Sequence, residues 1–170
     1  MVHLELVSCL TTFQHALYAS IFLSTTMVQI VRTYHTEFII VSYVNRLITL
    51  GIFIHYLINT CTFYPSFIGI FCIMYGIHLN FMIHLILDVI SIYYGHEIGV
   101  KKTTKWVTTY PFSWYKHPQY YGCILQLIGI ALCVGYDNGT IRTDIWITCI
   151  YASSLYLLTI QIEKLPIPYK

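Results

Sequence analysis

Five apolar runs, most of them long enough to cross a bilayer, leave this chain few ways to fold. They extend over Leu4 to Val31, Phe38 to Phe63, Phe67 to Tyr94, Tyr120 to Tyr136 and Asp144 to Ile162. A helix needs about 20 apolar residues to cross a hydrocarbon core of about 30 Å. Inside that core only elements that satisfy their own backbone polar groups persist. Charged residues make up 9% of the 170 and hydrophobic residues 57%, whereas soluble domains carry about 25% charge. The runs use nearly the whole chain, so little is left for a soluble domain. The expectation is an all-α integral membrane bundle: one transmembrane domain over residues 1–170, with four to five spans, the fourth of them short.

Pro, Gly, Asn and charge collect at Arg32 to Glu37, at Tyr64-Pro65-Ser66, at Gly95 to Pro118 and at Asp137 to Arg142, which places the connections there. If the loop from Gly95 to Pro118 lies on the positive face, Arg32, Lys101, Lys102, Lys105, Lys116, Lys164 and Lys170 share that face, and Arg142 alone lies opposite outside the spans. Five spans put the N-terminus on the other face and bring Glu163 back to the face that carries Lys116 to Gly122.

Net charge is +2 with no basic block, and the aromatic residues sit in apolar runs instead of alternating with Lys and Arg. The composition therefore excludes nucleic acid as a partner and implies membrane lipid. Many of the sixteen tyrosines fall toward span ends, including Tyr34, Tyr64, Tyr93, Tyr94, Tyr110 and Tyr136, where an amphipathic ring suits the headgroup region. The six cysteines show no metal-ligand spacing and read as small hydrophobes, so no metal site is expected. The N-terminus lacks a basic region and a small-residue cleavage site, which argues against a cleaved secretory signal.

Several polar residues interrupt the spans. His78, His84 and Asp88 fall in the third run, with His84 and Asp88 one helical turn apart. Arg46 lies in the second run beside Asn45. Such groups are costly in a membrane, and Arg46 and His84 are the first candidates to partner Asp88.

The segment Lys116-His117-Pro118-Gln119-Tyr120-Tyr121-Gly122 is a polar, aromatic knot between apolar runs. Pro118 and Pro111 force the residues before them out of helix, giving an interfacial or re-entrant loop that leads into the fourth span. Gly122 permits close approach of a helix or a ligand. The knot resembles the R/K-H/N-P-x-Y-x-G signature of the integral-membrane methyltransferases, which include the phospholipid N-methyltransferases and the isoprenylcysteine carboxyl methyltransferases. The likeness extends through Gly95-His96-Glu97-Ile98-Gly99-Val100 and Val107-Thr108-Thr109-Tyr110-Pro111-Phe112 and covers about residues 65 to 165.

The resemblance implies a site for S-adenosylmethionine built by Lys116, His117, Pro118, Tyr120, Gly122, Gly95 and Gly99, with Glu163 as the general base and His117 as a second candidate. It also exposes departures. Lys116 replaces the commoner Arg, which offers a planar fork to a carboxylate. The family's terminal acidic pair reads Gln161-Ile162-Glu163-Lys164 here, and Asp88-Val89-Ile90-Ser91 stands where small glycines admit the cofactor. The tail after Glu163 is also shorter than the family's. These departures favour a catalytically degenerate accessory subunit of a larger membrane complex, bound to other membrane subunits and lipids. The alternative is an active phosphatidylethanolamine N-methyltransferase dependent on S-adenosylmethionine. The mitochondrial inner membrane and the endoplasmic reticulum are both compatible locations.

Overall fold

The computed structural model describes residues 2–88, 92, 108–137 and 140–163. Gly95, Gly99, Lys101 and the residues after Glu163 lie outside them, so the roles expected of those positions are not addressed by the fold.

Among the described residues six helices are bounded: α1 (Val2–Leu23), α2 (Thr25–Thr33), α3 (His35–Thr60), α4 (Phe67–Ile86), α5 (Pro118–Val134) and α6 (Thr143–Ile162). Four of these, α1, α3, α4 and α6, are long and apolar enough to cross a membrane, and α5 is a shorter apolar helix of 17 residues. Large apolar side chains such as Phe67 and Ile58 stand on outer faces, 86% and 76% exposed, as lipid-facing positions require. A two-residue hairpin, Tyr136–Asp137 paired antiparallel with Thr140–Ile141, joins α5 to α6.

The first apolar run divides where a single span was expected from Leu4 to Val31. Ser24 is extended, and its hydroxyl accepts a hydrogen bond from the Met27 amide at 3.3 Å, so it stops α1 and caps α2. Val28 and Val31 of α2 turn inward against Tyr18, Ile21, Phe22 and Phe38. The connection to α3 is then a single residue, Tyr34.

Ser66 caps α4 by accepting from the Gly69 amide at 3.2 Å, and the Tyr64 amide donates to the Cys133 carbonyl at 2.8 Å, which ties the start of α4 to the end of α5. These two helices run antiparallel along a glycine seam. A Cβ on Gly69 would lie 2.9 Å from the Gly129 carbonyl oxygen, and one on Gly122 the same distance from that of Gly76. Two pairs of glycines, two helical turns apart, therefore set the backbone separation, as small residues do where no hydrophobic force drives membrane helices together.

At the face opposite the knot, Leu4, Val7, Phe53, Tyr56, Ala131, Val134, Ile145 and the two buried cysteines Cys133 and Cys149 form an apolar cluster. Arg142 closes that face. It donates to the Thr60 carbonyl at 2.7 Å, to the Tyr56 hydroxyl at 2.9 Å and, in a fork, to both Asp144 oxygens at 3.1 and 2.8 Å. The hydrogen bond to Asp144 holds the Arg142 guanidinium above its ordinary range.

Candidate active site

Pro118 opens α5 at its first turn, where a missing N–H costs nothing. That choice throws His117 and Tyr120 back toward the end of α6. The α6 helix ends at Ile162, with Glu163 as its cap. A helix C-terminus is an unfavourable place for an anion, so the carboxylate needs donors, and the knot supplies them. His117 Nδ1 lies 3.3 Å from Glu163 Oε2, with the two side chains 18% and 11% exposed, and the Tyr120 hydroxyl donates to Glu163 Oε1. The His117 and Tyr120 rings lie nearly parallel, 6.1 Å apart. The two candidate catalytic residues, His117 and Glu163, thus meet, and Tyr120 joins them by orienting the carboxylate.

The other expected residues take different places. Lys116 is exposed beside His117. Gly122 faces α4, where a Cβ would meet the Gly76 carbonyl oxygen at 2.9 Å and Asn80 Oδ1 at 3.0 Å. Of the two approaches its lack of a side chain permits, this structure uses the helix–helix one. The segment before the knot is a turn region, with Pro111 buried and the Tyr110–Pro111 bond cis. Its aromatic residues stack on α4: His78 lies between Tyr75 and Tyr110, at 6.3 and 5.8 Å. The Tyr115 hydroxyl meets that of Tyr75 at 3.2 Å, a hydrogen bond that raises the Tyr115 phenol above its usual range.

Asp88 does not share a helical face with His84. The α4 helix ends at Ile86 with Leu87 as cap, and Asp88 is exposed beyond it, its carbonyl accepting from the Ile92 amide at 3.0 Å. Arg46 stands over the Tyr18 ring, 5.8 Å from its centroid. Ile162, in the place of the family's other terminal acid, packs against the apolar cluster around Tyr18 and Phe22.

Residues not singled out in the sequence complete the site. Asn80 Oδ1 on α4 and His117 Nε2 are buried without hydrogen-bond partners among the described residues. They offer an acceptor and an imidazole nitrogen at the same end of α4 and α5. The sequence signal for Asn80 was an amide in a mostly apolar helix, one turn from Gly76. Behind Tyr120, the Tyr156 ring lies 5.9 Å away; His15 meets that ring edge-on at 4.6 Å, and His15 Nδ1 lies 2.7 Å from the Thr159 hydroxyl. This buried network fixes the side of Tyr120 turned away from Glu163.

Unpartnered polar atoms beside a held carboxylate suit a polar ligand with donors and acceptors of its own, and the amino acid and ribose of S-adenosylmethionine are of that kind. Asn80 Oδ1, His117 Nε2 and the exposed ammonium of Lys116 are the groups that fit it.

The family model for phospholipid methyltransferases matches residues 65–164, the stretch that contains the glycine seam, the knot and Glu163. Over 63 residues the chain is 39% identical to a phosphatidyl-N-methylethanolamine N-methyltransferase of Arabidopsis thaliana. That alignment covers 37% of this chain and 37% of the plant protein, so it spans little more than a third of the relative's length. No solved structure matches.

Proposed function

Since this chain belongs to the phospholipid methyltransferase family, which matches well over half of it, we propose that it is an active enzyme that methylates the amine of a membrane phospholipid. The observation that carries this reading is the carboxylate of Glu163, held by His117 and Tyr120 of the knot at the membrane edge. S-adenosylmethionine, which family membership implies, supplies a methyl carbon on a sulfonium sulfur; that bond's electron pair returns to sulfur as the amine takes the methyl.

The protein's own residues then have defined tasks. The lipid amine arrives as an ammonium ion and must lose a proton before its lone pair is free. Glu163 receives that proton at Oε2, the oxygen facing His117. Tyr120, bound to Oε1, keeps the carboxylate turned toward the substrate. His117 donates from Nδ1 to Oε2 and so holds the carboxylate in place to receive the proton. Positioning of this kind and proton removal are the two contributions a methyltransferase pocket has to make.

The departures that favoured a degenerate accessory subunit carry less weight against this geometry. Asp88 is exposed past the end of α4, so it does not fill a buried cradle. The single carboxylate is held by two donors. The named activity of the plant relative adds a monomethylated lipid to phosphatidylethanolamine as a candidate acceptor. Transfer of radiolabelled methyl from S-adenosylmethionine to each lipid, with purified protein in nanodiscs, tests the reading. Product formation is expected with at least one lipid, and none with either would contradict it.

A further inference from the structure

Glu163 caps α6, and the hydropathy of that helix does not fix how it is rotated. Apolar side chains stand on its outer face, with Ile147 66% and Leu158 55% exposed, as well as on the inner one at Ile145 and Ile160. In lipid no hydrophobic force chooses between such faces, so polar contacts between helices have to. A slip of one residue would turn Glu163 by about 100° around the helix axis.

The contact that sets the rotation comes from α1. His15 and Thr159 are both buried, and His15 Nδ1 lies 2.7 Å from the Thr159 hydroxyl oxygen. That hydroxyl donates its one hydrogen to the Leu155 carbonyl at 2.9 Å. It therefore accepts from His15, whose Nδ1 carries the hydrogen. One turn further on, the Glu163 amide donates to the Thr159 carbonyl at 2.9 Å. The His15 ring also meets the Tyr156 ring at 4.6 Å, and Tyr156 packs on Tyr120, whose hydroxyl donates to Glu163 Oε1. Two arms thus run from one imidazole to one carboxylate, one along the backbone of α6 and one through two tyrosine rings. His15 is itself held in place by its neighbours on α1. Asn45 Nδ2 of α3 donates to the Leu10 carbonyl at 3.1 Å and to Gln14 Oε1 at 2.9 Å, and the Thr12 hydroxyl meets that of Tyr151 on α6 at 2.6 Å.

We infer that His15 is a positioning residue for methyl transfer: from α1 it sets the rotation of the end of α6 and the seat of Tyr120, and so aims the Glu163 carboxylate at the lipid amine. The inference rests on the methyltransferase reading above. His15 lies outside the family-matched residues 65–164, so this chain's first helix completes a site whose carboxylate and donors come from the matched stretch.

Fluorine NMR on the full chain in nanodiscs, with fluorotyrosine placed at position 120 alone, tests the linkage without needing turnover. Glu163→Gln gives the reference shift for a phenol that has lost its carboxylate. His15→Phe keeps a ring against Tyr156 and removes the N–H, and Thr159→Val removes the acceptor. Each should move the resonance toward the Glu163→Gln position, whereas Thr159→Ser, which keeps the hydroxyl, should leave it where the parent has it. Methyl-transfer kinetics on the same set should show kcat about fivefold lower for His15→Phe and for Thr159→Val, the worth of one hydrogen bond, with KM unchanged and Thr159→Ser near the parent. Combined with Tyr120→Phe, His15→Phe should cost less than the product of the two separate losses, because both act on one carboxylate. Melting temperatures are measured for each variant, and if either His15→Phe or Thr159→Val does not fold, the other decides. A resonance that stays at the parent position in a folded variant, losses that fall on KM alone, or losses that multiply overturn the positioning role. Turnover in the parent with an unmoved resonance removes this inference and leaves the enzyme. A resonance that obeys the substitutions in a parent without turnover removes the enzyme and leaves the linkage of His15 to the Glu163 carboxylate.

Discussion

His117 Nδ1 and Glu163 Oε2 lie 3.3 Å apart, although 46 positions separate them in the chain and each sits at the end of a different helix. The contact brings the two candidate proton-handling groups together at one end of the bundle. Tyr120, three residues after His117, reaches the other oxygen of the same carboxylate. The distance also gives the opening segment of α5 a purpose beyond starting a helix.

Tyr120→Phe removes one donor from the carboxylate and keeps the ring that packs on Tyr156. We expect kcat for methyl transfer to fall about tenfold, in line with the loss of a hydrogen bond to a charged group, with the melting temperature nearly unchanged. Steady-state kinetics on the reconstituted protein, read beside a thermal melt, separate the two effects. An unchanged kcat would mean that Tyr120 does not orient Glu163.

Adding a side chain to the glycine seam should push α4 and α5 apart. Gly129→Ala places its Cβ 2.7 Å from Ile73 Cγ1, and overpacking of this kind costs about 1–3 kcal/mol. Gly51→Ala in α3 is the matched control: nothing lies within 4 Å of a Cβ there, and replacing a helical glycine should gain about 0.5–1 kcal/mol. Detergent melts of the two variants should move in opposite directions.

Arg142→Met breaks the ties of the far face to Thr60, Tyr56 and Asp144 and should destabilise the protein by about 1–3 kcal/mol, the cost of leaving their polar groups unpaired, while leaving methyl transfer by the folded enzyme intact. Its folded-state pKa is raised above that of the unfolded chain. The contribution is therefore complete below the unfolded guanidinium's own range and fades only as pH rises through the folded one, far above neutrality. The difference in melting temperature between variant and parent should accordingly stay level from about pH 6 to about pH 9.

Much of this architecture could be read from the chain. Run lengths identified the spans, the shortness of the fourth included, and counting spans put Glu163 on the face of the knot, which the His117 contact bears out. The division at Ser24 was hidden because α1 and α2 are both apolar enough to merge into one run. Only the inward pair Val28 and Val31, beside the polar Gln29 and Arg32, marks α2 as a separate amphipathic piece. The seam was visible as glycines spaced seven apart at 69 and 76 and again at 122 and 129, yet spacing alone does not say which helices pair. Asp88 was misplaced because the apolar run continues past the helix, and hydropathy does not register the extended backbone at Leu87 that ends α4. The pairing of Gln14 with Asn45, and the aromatic contact between Tyr120 and Tyr156, depend on helix rotation that no single-sequence pattern specifies.

The most direct measurement is methyl transfer by the purified protein in nanodiscs containing phosphatidylethanolamine or its monomethyl derivative, run in parallel with Glu163→Gln and His117→Ala. We predict turnover by the parent protein, a loss of about 10²–10⁴-fold in kcat for Glu163→Gln, the range set by removal of a general base, and a smaller loss for His117→Ala. Absence of turnover in the parent, or turnover that Glu163→Gln leaves intact, would contradict the account.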